Sequence, residues 1–257
     1  MRLDQRVTNE HPEGSPARAV VGSRGIGTAA TLGLAGLAVF VVITVLVQLG
    51  LLHGVDRSVA TSMQYVESPT LDWWTTVAGE LAVAEMSVVY GVVLSLILWR
   101  AGAGRWSLAP FAFLVPTLIE LAFKSWIAQP PIPLSLHFHV LGGNVFPSVL
   151  LKGSFPSGHS LRSSFFCTFL AVLIWHQRGP FPKLLALVIL LVAPAIGLAM
   201  LYAAWHWTSD VVAGLILGAS FALLVAPPVA AQLDSRMTSS HQSGTGSPGR
   251  SVRRRST

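Results

Sequence analysis

Three short polar stretches interrupt a chain that is otherwise mostly Leu, Val, Ala and Phe. One is Pro156-Ser157-Gly158-His159, just ahead of the apolar run FFCTFLAVLIW. Another is His206-Trp207-Thr208-Ser209-Asp210, and the third is Lys124, near the end of an apolar run. A helix starting at Ser157 would present free N–H groups and a partial positive charge to an anion. Gly158 would let a bulky oxyanion approach the backbone, and Ser157 would add a hydroxyl donor. Pro156 fits where no N–H is needed. Lys124 would bring a point charge to the same spot, so the preferred ligand is a phosphate. Taken alone, the stretch also reads as a plain capped helix start. His206 and Asp210 are four apart and share a face if their helix begins near His206. An Asp that accepts from one imidazole nitrogen leaves the other as a base or nucleophile. The simpler alternative is an interfacial His beside an Asp helix cap. His159 would be the matching general acid.

These groups can meet only if their helices open on one face of one body. The chain has 257 residues, 52% hydrophobic and 11% charged. Soluble domains carry about 25% charge, and here the apolar residues come in runs near the ~20 residues that cross a bilayer. The expectation is an all-α integral membrane bundle of six transmembrane helices: residues 28–52, 77–99, 108–127, 157–176, 184–204 and 209–231. Residues 1–27 and 233–257 are polar and read as disordered tails, flanking a membrane domain over 28–232. No internal repeat is evident. The formal charge of +6 lies in the tails and two short loops, without the interleaved aromatics of a nucleic-acid binder, so no nucleic acid is expected as partner. Arg2, Arg6, Arg18, Arg24, Arg236, Arg250, Arg253, Arg254 and Arg255 in the tails share a face with Arg100, Arg105, Arg178 and Lys183 in the loops. By the positive-inside rule that face, with both termini, is cytoplasmic. Lys124, the PSGH stretch and the HWTSD stretch then gather on the opposite face. Trp73, Trp74, Trp126, Trp205 and Trp207 read as interfacial anchors. Cys167 reads as a small buried hydrophobe.

In these residues the chain resembles the type 2 phosphatidic acid phosphatases, over about residues 28–232. That family's pattern is K-x6-R-P, then P-S-G-H, then S-R-x5-H-x3-D. This chain has Lys124, then PSGH at 156–159, then His206 and Asp210 at the family spacing, with HWTSDVVAG similar to the whole third motif. It departs from the pattern at Pro131 and Met200, where the motif arginines fall, and at Ala199, where the Ser falls. The resemblance implies that His206 is a nucleophile forming a phosphohistidine, Asp210 its orienting partner, and His159 the acid for the leaving oxygen. It implies that Lys124, Ser157 and Gly158 hold the phosphate, with no metal and no cofactor. The implied activity is hydrolysis of a lipid phosphate or diphosphate at the outer face of the plasma membrane. Phosphatidic acid, phosphatidylglycerol phosphate and polyprenyl diphosphates such as undecaprenyl diphosphate all fit. Membrane lipids are the other partners, and no residue pattern sets an oligomeric state.

Arg162 lies three residues past His159, on a neighbouring part of the same face. It either reaches back to the helix start in place of a missing arginine or snorkels to the headgroups. Lys152 is a second cation near the motif. Glu120, at i−4 from Lys124, is a counter-ion for that lysine when no ligand is bound. Glu80 and Glu85 either line a cavity or mark a later start for the second span. His137 and His139 have a chelating spacing but no acid or Cys to complete a site, and read as loop structure or substrate gating. Two other function classes compete with hydrolysis. One is a lipid-phosphate binder or carrier without turnover, favoured by the absent arginines. The other is a serine peptidase using Ser157 and His206, disfavoured because both sit at the membrane surface.

Overall fold

A computed structural model describes residues 16–127, 129–133, 153–177 and 179–245. Lys152, His137 and His139 lie outside them. The described residues form helices α1 (Pro16–Gln48), α2 (His53–Met63), α3 (Pro69–Leu81), α4 (Ala84–Arg100), α5 (Leu114–Trp126), α6 (Gly158–Trp175), α7 (Pro180–Tyr202) and α8 (Thr208–Thr245). A 3₁₀ stretch, Gly104–Phe113, leads into α5. The all-helical architecture follows from long runs of Leu, Ala, Val and Phe that satisfy their own backbone, the only open-ended solution in lipid.

Among the described residues, four segments are long and apolar enough to cross a membrane: Gly27–Gln48, Gly104–Trp126, Pro180–Tyr202 and Thr208–Arg236. Helices α3 and α4 together would make a fifth, bent by 60°. Large apolar side chains such as Leu32, Val41, Leu96, Leu191 and Leu198 are exposed along these helices. Apolar surface of that extent needs a lipid surround, and this is an integral membrane protein.

The helices differ from the sequence expectation in several places. The second span is not one straight helix from residue 77, because the chain breaks at Ala82 and Val83. Glu80 and Glu85 flank the break and are exposed; they line no cavity, and α4 starts later than the apolar run suggests. The expected fourth span is α6, of 18 residues, which is not among the segments apolar enough to cross alone. The reason is its position. Residues 153–166 are all buried, so protein rather than lipid surrounds the polar first turns. The presumed tails are also partly helical: α1 begins at Pro16 and α8 continues to Thr245.

Helix α6 is the hub, and it packs most closely on α8. Gly214 and Gly218 make that approach possible. A Cβ at Gly214 would collide with the Ser157 carbonyl and come within 3.1 Å of the Ser160 Cβ; one at Gly218 would collide with the Leu161 carbonyl. Small residues at four-residue spacing let two helix backbones approach in this way. Below that contact, Phe113, Phe165, Phe166 and Phe169 pack with Leu98, Ala222, Ala226 and Val229 into one core. Nearer the polar end, Phe40, Phe155, Leu161, Ala213 and Leu217 form a second. The two cores fix the starts of α6 and α8 relative to each other and to the end of α5.

Candidate functional site

Ser157 is the N-cap of α6 and is fully buried; its Oγ accepts from the Ser160 N–H at 3.4 Å. Its own N–H donates to the Asp210 carbonyl at 3.0 Å, so the starts of α6 and α8 are tied together. Gly158 is the first helical residue. A Cβ there would collide with Glu120 Oε1 and lie 2.7 Å from Arg162 Nη1. Only glycine leaves room for both groups against this helix terminus.

His206 is not in α8. The helix begins at Thr208, and His206 sits two residues earlier in the turn that follows α7. Asp210, in the third helical position and 0% exposed, reaches back across that turn. Its Oδ2 accepts from the Trp207 N–H at 3.1 Å and lies 3.4 Å from His206 Nδ1. The expected His206–Asp210 pairing is therefore present, but it is made by a first-turn carboxylate folding back, as in a capping box, and not by two residues on one helical face. Asp210 Oδ1 has no hydrogen-bond partner among the described residues. Because Nδ1 faces the carboxylate, Nε2 is the imidazole nitrogen left for chemistry. The His159 ring lies beside it, with centroids 6.1 Å apart, and Trp205 packs on His159 at 5.8 Å. His159 Nε2 is buried and has no partner among the described residues.

The cations come from α5 and from α6 itself. Lys124, in the last turn of α5, places Nζ 2.7 Å from Glu120 Oε1. Arg162 does not snorkel outward: it is 7% exposed and points inward. Its Nε donates to the Ala82 carbonyl at 3.2 Å, and Nη1 to Glu120 Oε2 at 3.1 Å. The α3–α4 break explains the first bond. A broken helix leaves carbonyls that must find donors inside the protein; Arg162 takes that of Ala82, and Tyr90 Oη takes that of Leu81 at 3.0 Å. Thus Lys124, Ser157, Gly158, His159, Arg162, His206 and Asp210 all meet at one end of the bundle.

The positions that lack arginine are occupied differently. Pro131 is exposed. Met200 is fully buried against Leu201 and Val211, with Trp205 alongside, so an apolar side chain closes that space. Trp205 and Trp207, expected as interfacial anchors, instead turn inward, Trp205 onto His159 and Trp207 among Ala60, Ile132 and Ala204. Trp207 is buried and its Nε1 donates to the Pro130 carbonyl at 2.7 Å. Trp73, Trp74 and Trp126 are exposed, as anchors would be.

Sequence reasoning missed Asp56. This α2 residue is buried at the start of α8, where Oδ1 accepts the Ser209 N–H at 2.8 Å and Oδ2 the Ser209 hydroxyl at 2.7 Å. Gln129 Nε2 joins them, 3.1 Å from Ser209 Oγ. Burial pushes the Asp56 carboxyl upward from its ordinary value, against the pull of the two Ser209 bonds. A signal for it exists: Trp207, at the N-cap position of α8, has no side-chain oxygen, and an uncapped helix start inside a protein needs an acceptor from elsewhere.

No curated protein matches this chain at a significant level. Among solved structures it is similar to one described as the first transmembrane PAP2 type phosphatidylglycerolphosphate phosphatase from Bacillus subtilis. The two are 20% identical with a TM-score of 0.63, and the similarity covers 75% of this chain and 93% of that one. At that identity the likeness speaks for the fold. The sequence profile of the PAP2 superfamily matches residues 84–232, a stretch that runs from the first turn of α4 into α8 and holds Lys124, the PSGH stretch, His206 and Asp210. With more than half its length inside that profile and the same fold around it, the chain belongs to the PAP2 superfamily.

Proposed function

We propose that this protein is an integral membrane phosphatase that hydrolyses a lipid phosphate or diphosphate. The observation that carries the reading is the His206–Asp210 pair, tied through Ser157 to the start of α6, where Lys124 and Arg162 also converge. His206 Nε2 attacks phosphorus and forms an N–P bond as the P–O bond to the lipid breaks. His159 donates a proton to the departing oxygen, and Asp210 holds the imidazolium that forms. Water, deprotonated by His159, then attacks the phosphohistidine; inorganic phosphate leaves and His206 is regenerated. Lys124, Arg162, Ser157 and the N–H groups at Gly158 stabilise the equatorial oxygens, where the transition state spreads its charge. The chemistry needs no metal in this scheme.

The same reading counts six crossings, with α6 as one of them and α3–α4 as another, so that both termini share a side; the positive charge on that side supports a cytoplasmic assignment for it and a site at the outer face of the plasma membrane. The membrane domain over 28–232, flanked by polar segments, belongs to the same reading. The Bacillus subtilis neighbour, named for phosphatidylglycerolphosphate, supports a lipid phosphate as substrate; phosphatidic acid and undecaprenyl diphosphate offer the same group at the same depth.

A second reading is favoured by Pro131 and Met200: a lipid-phosphate binding protein that retains the pocket without turnover. Phosphate release by the purified protein in detergent, without added metal, against these three lipids separates the two. Release that vanishes in His206→Ala is expected. Tight lipid binding with no release from any of them would favour the binder.

A further inference from the structure

Both cations that would hold the phosphate already hold something else. Lys124 Nζ is 2.7 Å from Glu120 Oε1, and Arg162 Nη1 is 3.1 Å from Glu120 Oε2. The same carboxylate lies so close to Gly158 that a Cβ there would collide with Oε1. Glu120 is 3% exposed. Three groups from two helices therefore converge on one carboxylate: Lys124 in the last turn of α5, the first turn of α6 at Gly158, and the guanidinium that α6 sends back over its own start. An ordinary i,i+4 counter-ion to Lys124 could stay at the surface of α5. This one is turned inward to bridge two cations at a helix N-terminus, which is where an anion is favoured by the N–H groups and the helix dipole. A carboxylate and a phosphoryl group ask for the same donors in the same fork geometry.

Resting on the phosphatase reading above, we propose that Glu120 is the resident anion of the phosphate seat, and that a phosphoryl group enters by displacing its carboxylate from Lys124 and Arg162. The exchange has two consequences. Two buried cations are never left without a counter-charge, which would be costly in a low-dielectric site. The returning carboxylate also competes with inorganic phosphate after hydrolysis, so it promotes product release. Glu120 thus sets how tightly the site holds any tetrahedral oxyanion. That is a different role from positioning the cations, and the two roles predict opposite signs.

The test compares the full-length protein in detergent with Glu120→Gln, which is nearly isosteric and cannot compete as an anion. Orthovanadate and inorganic phosphate are titrated calorimetrically. Their dissociation constants should fall by about tenfold or more in Glu120→Gln, since one opposing charge within a few ångströms of the seat has been removed. The gain should be the same for dioctanoyl phosphatidate, because the seat touches only phosphoryl oxygens. Equal or weaker oxyanion binding by folded Glu120→Gln would overturn the proposal and make Glu120 a positioning residue. A gain confined to the lipid would also overturn it, by placing Glu120 against the glycerol. If Glu120→Gln does not fold, the wild type decides. Glutamate-labelled (13C) protein should show a shifted carboxylate stretch on adding vanadate, and an unchanged band overturns the proposal; Glu67, Glu80 and Glu85 are already exposed. Oxyanion binding to neither protein would overturn both this inference and the proposed function. Tighter binding by Glu120→Gln with no turnover in either protein would uphold the inference and remove only the hydrolysis.

Discussion

Arg162 shows how one side chain can be assigned from its partners. Its guanidinium bridges a carbonyl freed by the α3–α4 break and the carboxylate of Glu120, over the start of α6. If it stabilises phosphoryl oxygens, Arg162→Ala should lower turnover at saturating lipid on the order of a hundredfold. Arg162→Lys keeps the charge and loses the planar fork, so it should recover only part of that. Arg57→Ala, an exposed α2 residue, serves as the control. A loss within about threefold in Arg162→Ala would reduce the residue to a structural pin for the helix break. His159 can be separated from His206 by leaving group. His206→Ala should abolish turnover of every substrate and leave no acid-labile phosphoryl group to trap. His159→Ala should cost about 10²–10⁴ on a lipid phosphate. On p-nitrophenyl phosphate, whose leaving oxygen needs no proton, the first-turnover burst of nitrophenol should stay near wild type, while dephosphorylation of His206, which uses His159 as base, still slows. A burst slowed as much as lipid cleavage would argue against His159 as the acid.

At the scale of elements, the site depends on two helix starts held in register. Gly214 and Gly218 let α8 lie against the backbone of α6. Gly218→Val would drive a side chain into the Leu161 carbonyl, and overpacking of this kind costs about 1–3 kcal/mol. The expected result is a lower Tm together with lost turnover, read by thermal scanning in detergent. Asp56 acts from the other side, anchoring the first turn of α8 through Ser209. Asp56→Asn keeps the shape and weakens a charge-assisted pair of bonds worth about 1.5–3 kcal/mol. Because Asp56 touches neither the cations nor Gly158, kcat should fall while KM stays near wild type. A rise in KM alone would place Asp56 in the substrate seat instead.

At the scale of the whole molecule, the prediction concerns which way the bundle faces. Positive charge in the tails and in the loops carrying Arg100, Arg105 and Lys183 supports a cytoplasmic location for that end. In a background with Cys167 replaced, Ser148→Cys should react with a membrane-impermeant thiol reagent in intact cells, and Ser247→Cys should not. The reverse pattern would put the site on the cytoplasmic face and exclude an outer-leaflet substrate.

Sequence alone determined the class of molecule and named most of the residues that meet at the candidate site. Long apolar runs with few charges leave helices as the only open-ended way to satisfy the backbone in lipid. The spacing from His206 to Asp210, with PSGH and Lys124, named the residues that converge, because helix starts and short spacings are local properties. Tertiary structure decided what is not local. The α3–α4 break falls between Glu80 and Glu85, which in sequence fitted a cavity lining or a later span start equally well, and a freed carbonyl there is tolerable only where a distant donor such as Arg162 reaches it. Spacing suited Asp210 equally to a shared helical face or to reaching back over a turn, and the start of α8 at Thr208 chose the second. Asp56 and Ser209 are 153 positions apart, and no periodicity joins them. Glu120 was legible as a partner for Lys124 through i,i+4 geometry. That it also meets Arg162 and Gly158 depended on how α5 and α6 pack, a matter of side-chain volumes across the bundle that no single segment encodes.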